Sequence, residues 1–233
     1  MLRTADSLRG YSLAASDGKI GEAKDFYFDD RSWTVRYLVA NTGNWLMDKL
    51  VLISPKTLGT VEPDRDIIDT SLTRKQIEES PPASSDRPVS DRLEILYFPI
   101  YGWPPLYQPE EKGHGDVHLR STAEVAGYSV AAVDGRIGHV ADFLIDDEDW
   151  VIRYLVVDTR DWLPGKHVLL SPEWIREISW NDYSVHVDVR QDTIERAPEF
   201  VKDQAVTREY EAELCRFYGK EGYWSKTSCP TGT

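Results

Sequence analysis

The sequence predicts a mainly β protein with short helices, built from two small antiparallel β-barrels in tandem, each followed by a helical and aromatic tail. Three observations favour this fold class. Residues 17–46 recur in similar form at residues 134–163. Within each copy, apolar residues surround short polar turns, which is typical of β-hairpins. Later in each copy, the spacing of the apolar residues becomes that of a helix.

The repeat extends over almost the whole chain. Each residue of the first copy has its counterpart 117 positions later, as Asp17 has Asp134, and this register holds without gaps from about residue 2 to residue 107. A chain of 233 residues is long enough to form two small cores. We therefore predict one unit at residues 1–108, a linker at residues 109–118 and a second unit at residues 119–233.

The first elements of each copy read as strands. Asp17-Gly18 is a tight-turn signal, because both residues tolerate positive φ, and it lies between apolar-rich segments. A further strand is predicted at residues 49–53 and again at 166–170. The Ser-Pro pair that follows each of these segments predicts the end of the strand.

A polar turn at residues 29–32 separates two apolar runs and predicts a second hairpin. A four-residue turn at this place would put Asp25 opposite Arg36. The same arithmetic in the second copy pairs Asp142 with Arg153. Opposite charges facing each other across two strands would then mark the register of both hairpins.

The later part of each copy reads as helical. Thr73 and Gln76 have capping-box spacing, and Pro81 is expected to stop this helix. In the second copy, four apolar residues follow at helical spacing, with Gly219 as a reasonable C-cap. These four residues are Val206, Tyr210, Leu214 and Phe217.

Composition excludes several classes of function. The formal net charge of -13 argues against nucleic-acid binding, which needs clustered Lys and Arg, and against a polybasic membrane anchor. Neither a secretory signal nor an apolar run long enough to span a bilayer is present. We therefore expect a cytoplasmic protein without direct membrane insertion. Cys215 and Cys229 show no CxxC spacing, and free thiols are expected.

In each copy, the motifs occur in one order: D-G-(K/R)-I-G, an acidic turn, W-x-(V/I)-R-Y-L-V, T-x-x-W and V-L-(I/L)-S-P. In this combination the chain resembles the PRC-barrel family, named after the photosynthetic reaction centre. The resemblance covers residues 2 to about 58 and 119 to about 175. The tails look like those of tandem PRC-barrel proteins of bacteria.

The resemblance implies a noncatalytic role in docking onto partners. In the family, the barrel of the reaction-centre H subunit packs beside a membrane electron-transfer complex, and the carboxyl-terminal barrel of the ribosome maturation factor RimM helps to bind a ribosomal protein. We expect a protein partner for this chain, a membrane electron-transfer complex being one candidate. The alternative is a sensor that binds a small ligand or metal between the two barrels. A third, weaker reading is an enzyme whose site forms only between them.

The aromatic tails are the candidate partner-binding residues. The segments YGWPPLY at 101–107 and YGKEGYW at 218–224 follow the last predicted helix of each copy. They read either as a strap that packs against the fold or as a docking strip. The candidate residues are Tyr101, Trp103, Tyr107, Tyr218, Tyr223 and Trp224.

No catalytic residue, metal ligand or cofactor is predicted. The acidic run at residues 146–149 could ligate a hard cation, but it lacks EF-hand spacing and reads better as a solvated turn. The histidines have no metal-ligand spacing, and Cys215 has no motif that places a histidine beside it.

Duplication itself has a structural interpretation. A small barrel leaves an apolar face or a strand edge exposed, and a second copy could bury it. We expect the two units to form an intramolecular pseudo-dimer, with each tail reaching across to the other barrel. Pairing of whole chains into a homodimer stays open.

Overall fold

A computed structural model describes residues 1–79, 118–159, 166–202 and 204–228. The described part is mainly β, with two seven-stranded sheets and few, short helices. The sequence-based prediction of a mainly β chain with short helices is therefore confirmed. No helix of the described residues is long and apolar enough to cross a membrane.

The strands recur in the same order in the two copies. The first seven are β1 (Leu2–Thr4), β2 (Ser12–Ala15), β3 (Gly18–Asp29), β4 (Val35–Asn41), β5 (Leu50–Ile53), β6 (Leu58–Glu62) and β7 (Ile67–Thr70). The next seven are β8 (Leu119–Ser121), β9 (Ser129–Ala132), β10 (Gly135–Asp146), β11 (Val151–Asp158), β12 (His167–Leu170), β13 (Ile175–Ser179) and β14 (Ser184–Val187).

The α-helices of the described residues are α1 (Ala5–Leu8), α2 (Arg74–Glu78), α3 (Thr122–Val125), α4 (Gln191–Arg196) and α5 (Arg208–Tyr218). The predicted capping box of α2 is confirmed, since Thr73 accepts from the amide of Gln76 and the Gln76 side chain accepts from the amide of Thr73. Asp17 also accepts a hydrogen bond from the first amide of α2, at 2.8 Å, and Asp134 does the same for α4, at 2.9 Å.

Both sheets have the same topology. One has the order β5-β4-β3-β2-β7-β6 and the other β12-β11-β10-β9-β14-β13. The sheets are mixed, not purely antiparallel as predicted, because β2 runs parallel to β7 and β9 runs parallel to β14. Among the described strands, no pairing joins the two ends of either sheet into a closed barrel.

The first strand of each copy pairs with the other copy. Strand β8 lies antiparallel to β3, with Ser121 opposite Tyr27 and Leu119 opposite Asp29, and β1 pairs with β10. Leu119 joins a buried cluster with Tyr27 and Val39 of the first copy. Each long strand therefore receives a neighbour from the other repeat.

Contacts divide the chain into two compact units that mix the repeats. One comprises Arg3–Ala126 with Asp142–Arg153, and we call it the exchange unit. The other comprises Met1–Leu2, Gly127–Ala141 and Tyr154–Thr233, and we call it the tail unit. The boundaries at 1–108, 109–118 and 119–233 describe the sequence repeat and stay a prediction for independent domains. Most of the predicted linker lies outside the described residues.

The predicted hairpin register is wrong. In the β3–β4 pair, Asp25 lies opposite Val39 instead of Arg36, because Phe28 pairs with Val35 across a turn longer than the predicted four residues and the register shifts again between Phe28 and Tyr27. Arg36 instead pairs with Asp29 at the turn, at 3.4 Å. The irregular register decides which acid faces which arginine, and simple counting from the turn does not include it.

In the second copy, Arg153 pairs with Asp146, the last residue of β10, at 3.2 Å and with Asp149, in the turn, at 2.8 Å. Asp142 accepts hydrogen bonds from the backbone amides of Asp6 and Phe143. The alignment of Asp142 with Arg153 across the two strands stays a prediction. Both arginines contact acids at their turns.

Within the exchange unit, the two hairpin tips bind each other reciprocally. The amide of Val35 donates to the carbonyl of Trp150 at 2.7 Å, and the amide of Ile152 donates to the carbonyl of Trp33 at 2.8 Å. Both tryptophans have positive φ, 57° and 53°, which is unusual for a bulky residue. The two hydrogen bonds join equivalent positions of the two copies, as in an interface with twofold symmetry.

Candidate functional site

Helix α5 and the tail that follows it belong to the tail unit. The helix begins after Thr207, whose side chain accepts a hydrogen bond from the amide of Tyr210, and its C-cap Gly219 has a left-handed φ of 63°. The predicted C-cap is confirmed. The predicted apolar face is only partly right, because Phe217 is 36% exposed while Glu211 is buried.

Glu211 is the most unusual side chain of this helix, since a carboxylate is rarely buried without partners. It is 3% exposed, and both of its oxygens are occupied. The Tyr154 hydroxyl donates to Oε1 at 3.1 Å, and Arg208 Nη1 lies 3.0 Å from Oε2. Burial, followed by the nearby Glu211 charge, raises the pKa of Tyr154, so its hydroxyl stays protonated and can donate.

Two rings of the tail hold the guanidinium group of Arg208. The Cζ atom of Arg208 lies 4.4 Å from the centre of the Trp224 ring and 5.1 Å from the centre of the Tyr223 ring. The two rings are 5.1 Å apart and inclined at 81°. A cation over such rings gains about 0.5 to 2 kcal/mol, with the larger values for less hydrated sites. We call Tyr223, Trp224 and Glu211 the guanidinium clasp.

Tyr218 is the last residue of α5. Its ring lies 4.6 Å from that of Trp174, inclined at 45°, and 5.1 Å from the ring of Phe217. The Tyr218 hydroxyl oxygen is buried and finds no hydrogen-bond partner among the described residues. Burial accordingly raises the pKa of this hydroxyl.

The structure places three of the six predicted partner-binding residues. Tyr218 ends α5, and Tyr223 and Trp224 contact each other in the segment that follows; all three belong to the tail unit and are half-buried. Their described ring contacts are to the second copy itself, since Trp174 and Arg208 both belong to it. Tyr101, Trp103 and Tyr107 lie outside the described residues.

Sequence reasoning missed the polar residues that organise this site. Tyr154 and Glu211 repeat Tyr37 and Glu94 at the same offset, which could have indicated a duplicated pair. Arg208, by contrast, replaces an aspartate at the corresponding position of the first copy, Asp91. The arginine that fills the clasp is therefore a property of the second copy.

The acidic turns are occupied by arginines. Beyond the two contacts of Arg153, Asp147 receives a hydrogen bond of 2.6 Å from Arg3. In the first copy, Asp30 contacts Arg120 at 3.1 Å and His118 at 2.9 Å. Each of these acids thus has a cation beside it.

Two further histidines face one carboxylate of the tail unit. His139 Nε2 lies 3.9 Å and His167 Nε2 lies 3.7 Å from Oδ2 of the buried Asp158. Within the described ranges, no three His, Cys, Asp or Glu side chains are arranged to hold a metal ion.

Cys215 is buried in α5. Burial, followed by the charge of Glu211, raises the pKa of its thiol, which favours the unreactive protonated form. Cys229 lies outside the described residues.

A polar cavity of about 470 Å³ lies in the exchange unit. Its lining includes the basic residues Lys19 and Arg74 and the acidic residues Glu22 and Asp48. Arg74 donates through Nε and Nη2 to the carbonyl of Lys19, at 3.0 and 2.7 Å. All of these residues belong to the first copy.

No family model and no curated protein sequence matches the chain. The fold and the site define a duplicated, mainly β protein whose second tail carries surface aromatic rings around a charged pair.

Proposed function

We propose that this chain is a noncatalytic docking or regulatory protein of the PRC-barrel type, which binds a protein partner through its aromatic tail. The motif order of the two copies supports the family. The observation that carries the docking role is the half-buried position of Tyr223 and Trp224 around the partly exposed Arg208.

Aromatic and arginine side chains are the commonest anchors of protein interfaces. They combine large apolar area with a polar group, so they can be half-exposed in the free protein and bury their remaining surface against a partner. Phe217, 36% exposed, and Val201, 50% exposed, add apolar surface to the same unit. Tyr101, Trp103 and Tyr107 would serve the same role in the first copy.

The two copies would act as an intramolecular pseudo-dimer. The reciprocal hydrogen bonds of Val35 and Ile152 support this proposal, because they join equivalent positions of the two repeats. Covalent linkage of the copies would keep them together at any protein concentration.

Affinity capture tests the docking role. The tagged chain would be recovered from separated soluble and membrane fractions of its own organism, together with a Trp224→Ala variant and a Tyr183→Ala control. Tyr183 is 64% exposed and belongs to the same unit but not to the tail. We expect a stoichiometric companion that Trp224→Ala loses and Tyr183→Ala keeps. A companion that both variants capture as the wild type does would contradict the proposal. So would the absence of any captured companion.

A small-ligand sensor is the second candidate, and the cavity beside Arg74 favours it. Its charged side chains can contact a polar or charged ligand. A ligand that binds only the folded state raises its melting temperature. A thermal-shift panel of divalent cations, nucleotides and quinones, repeated with Arg74→Ala, would reveal such a ligand by a shift that this substitution removes.

A further inference from the structure

We propose that the exposed face of helix α5 is a contact surface for a second molecule of this chain, which packs its own α5 antiparallel against it. The contact would be isologous, since each chain would present the same surface to the other. The inference goes beyond the docking role of the aromatic tail and does not depend on it. It concerns the pairing of whole chains, which the duplication alone leaves open.

Helix α5 has one buried side and one side in contact with solvent. The buried residues of the helix are Glu211, Leu214 and Cys215. The residues on the opposite side recur three or four positions apart, as one face of a helix requires, and are exposed or half-buried. They are Glu209, Ala212, Glu213, Arg216 and Phe217. Together with the exposed Lys220, which follows the C-cap Gly219, we call them the outer face of α5.

The charges of the outer face are ordered along the chain. Glu209 and Glu213 come first, and Arg216 and Lys220 follow. None of these four side chains forms an ion pair with another residue that the structure describes. The order agrees with the helix dipole, which favours acids near the amino end and bases near the carboxyl end. The two ends of the face therefore carry opposite charges that are available for contacts with another molecule.

An antiparallel pair makes this face complementary to itself. When Glu213 lies opposite Arg216 of the second chain, the same register puts Glu209 opposite Lys220 of the second chain, because both pairs are centred on the same point of the helix. Twofold symmetry then repeats each contact. A parallel pair would instead put Glu213 beside Glu213 of the second chain, and like charges at such a distance repel each other. The order of the charges thus selects the antiparallel arrangement.

The same register fits the apolar residues of the outer face. Phe217 is its largest apolar side chain and is 36% exposed. It would lie opposite Ala212 of the second chain, which is small and half-buried and leaves room for a ring. Exposed ion pairs contribute little by themselves, so burial of the Phe217 ring would supply much of the affinity, and the charges would fix the register.

The contact should be weak and reversible. A helix of 11 residues is about 16 Å long, so its outer face is smaller than the roughly 800 Å² that each partner buries in a standard interface. The formal net charge of -13 on each chain also opposes association. We therefore expect a dimer that forms at high micromolar concentrations and dissociates on dilution.

Charge reversal in the full chain tests this register. Sedimentation velocity would be recorded over a range of concentrations for the wild type, for Glu213→Arg, for Arg216→Glu and for an equimolar mixture of the two variants. Each substitution puts like charges opposite each other twice, and we expect self-association at least tenfold weaker than that of the wild type. The mixture should associate as the wild type does, because the arginine introduced in one variant then faces the glutamate introduced in the other.

Glu177→Arg is the matched control, since it changes the net charge as Glu213→Arg does, at an exposed position outside α5. It should associate at least as strongly as the wild type. A wild type that stays monomeric at every concentration would overturn the proposal. So would single variants that associate as the wild type does, or a mixture that stays monomeric. If circular dichroism shows that a charge variant does not fold, Phe217→Ala takes its place, and unchanged self-association of that variant would refute the contact.

Discussion

The carboxylate of Asp25, in the first repeat, accepts a hydrogen bond of 2.7 Å from the hydroxyl of Thr122, in the second repeat. It also accepts from the Ser121 hydroxyl and from the amide of Ala123, at 3.1 Å. One buried acid therefore caps a helix that begins 97 residues further along the chain. This contact connects the two repeats within the exchange unit.

Removing this cap should destabilise the protein more than removing its counterpart does. Asp25→Ala leaves the buried hydroxyls of Ser121 and Thr122 without their acceptor, and we expect a loss of about 3 kcal/mol in the free energy of unfolding. The counterpart, Asp142, accepts from the backbone amides of Asp6 and Phe143, so Asp142→Ala should cost about 1 kcal/mol. Urea unfolding at pH 7 measures both values. Equal losses would mean that the hydroxyl contacts contribute nothing.

Gly21 should tolerate no side chain. Its φ is 148°, and a Cβ atom would lie 1.9 Å from the carbonyl oxygen of Asn41. We expect Gly21→Ala to cost about 3 kcal/mol or more, because the clash is with backbone. Gly10 has a positive φ of 87° but open space around its Cα, so Gly10→Ala should cost only about 1 kcal/mol, from its backbone strain. Thermal unfolding of the two variants should show this order, and similar melting temperatures would contradict it.

Two tyrosine hydroxyls of the tail unit should differ in their effect on stability. Tyr154→Phe removes a donor from the buried Glu211 carboxylate and should cost about 1 to 3 kcal/mol. Tyr218→Phe removes a buried oxygen that has no partner in the described part of the chain, so stability should stay unchanged or rise. Denaturant titrations under identical conditions provide the comparison. A destabilised Tyr218→Phe variant would show that this hydroxyl is hydrogen-bonded in solution.

As the pH rises, the ionisation of Asp29 should increase the free energy of unfolding, and the ionisation of Asp142 should decrease it. Burial alone raises the pKa of Asp29, but hydrogen bonds from the amides of Ser32 and Arg31 outweigh it, so the pKa lies below its ordinary value. Asp29 therefore stabilises the fold above its unfolded pKa and loses this contribution as the pH falls through the folded value. Burial raises the pKa of Asp142, so its ionisation in the fold is unfavourable, and its cost appears as the pH rises.

Substitution by asparagine separates these two cases. Relative to the wild type, Asp29→Asn should become increasingly destabilised as the pH rises from 3 to 6. Asp142→Asn should become less destabilised over the same range. Melting temperatures recorded across these pH values check both trends, and parallel curves for the two variants would refute the assignment.

The sequence was sufficient to predict features that depend only on residues close to one another in the chain. The capping box of Thr73, the C-cap at Gly219 and the hairpins on either side of each turn are all local, so their chemistry can be read from residue type and spacing. The duplication was equally visible, since it needs only a comparison of the chain with itself. The mixed character of the sheets escaped prediction because β2 and β7, which run parallel, are far apart in the chain. The register at Asp25 escaped it because residue types do not fix the length of the turn or the position of a register shift.

What the sequence alone determined is the repeated unit, its strands and its helix caps, because these form from contacts within a few residues. Which copy supplies the neighbour of each long strand was decided only by tertiary structure. The guanidinium clasp is also a tertiary result, since the folded backbone brings Tyr154, Arg208 and Trp224 together and compensates the buried charge of Glu211.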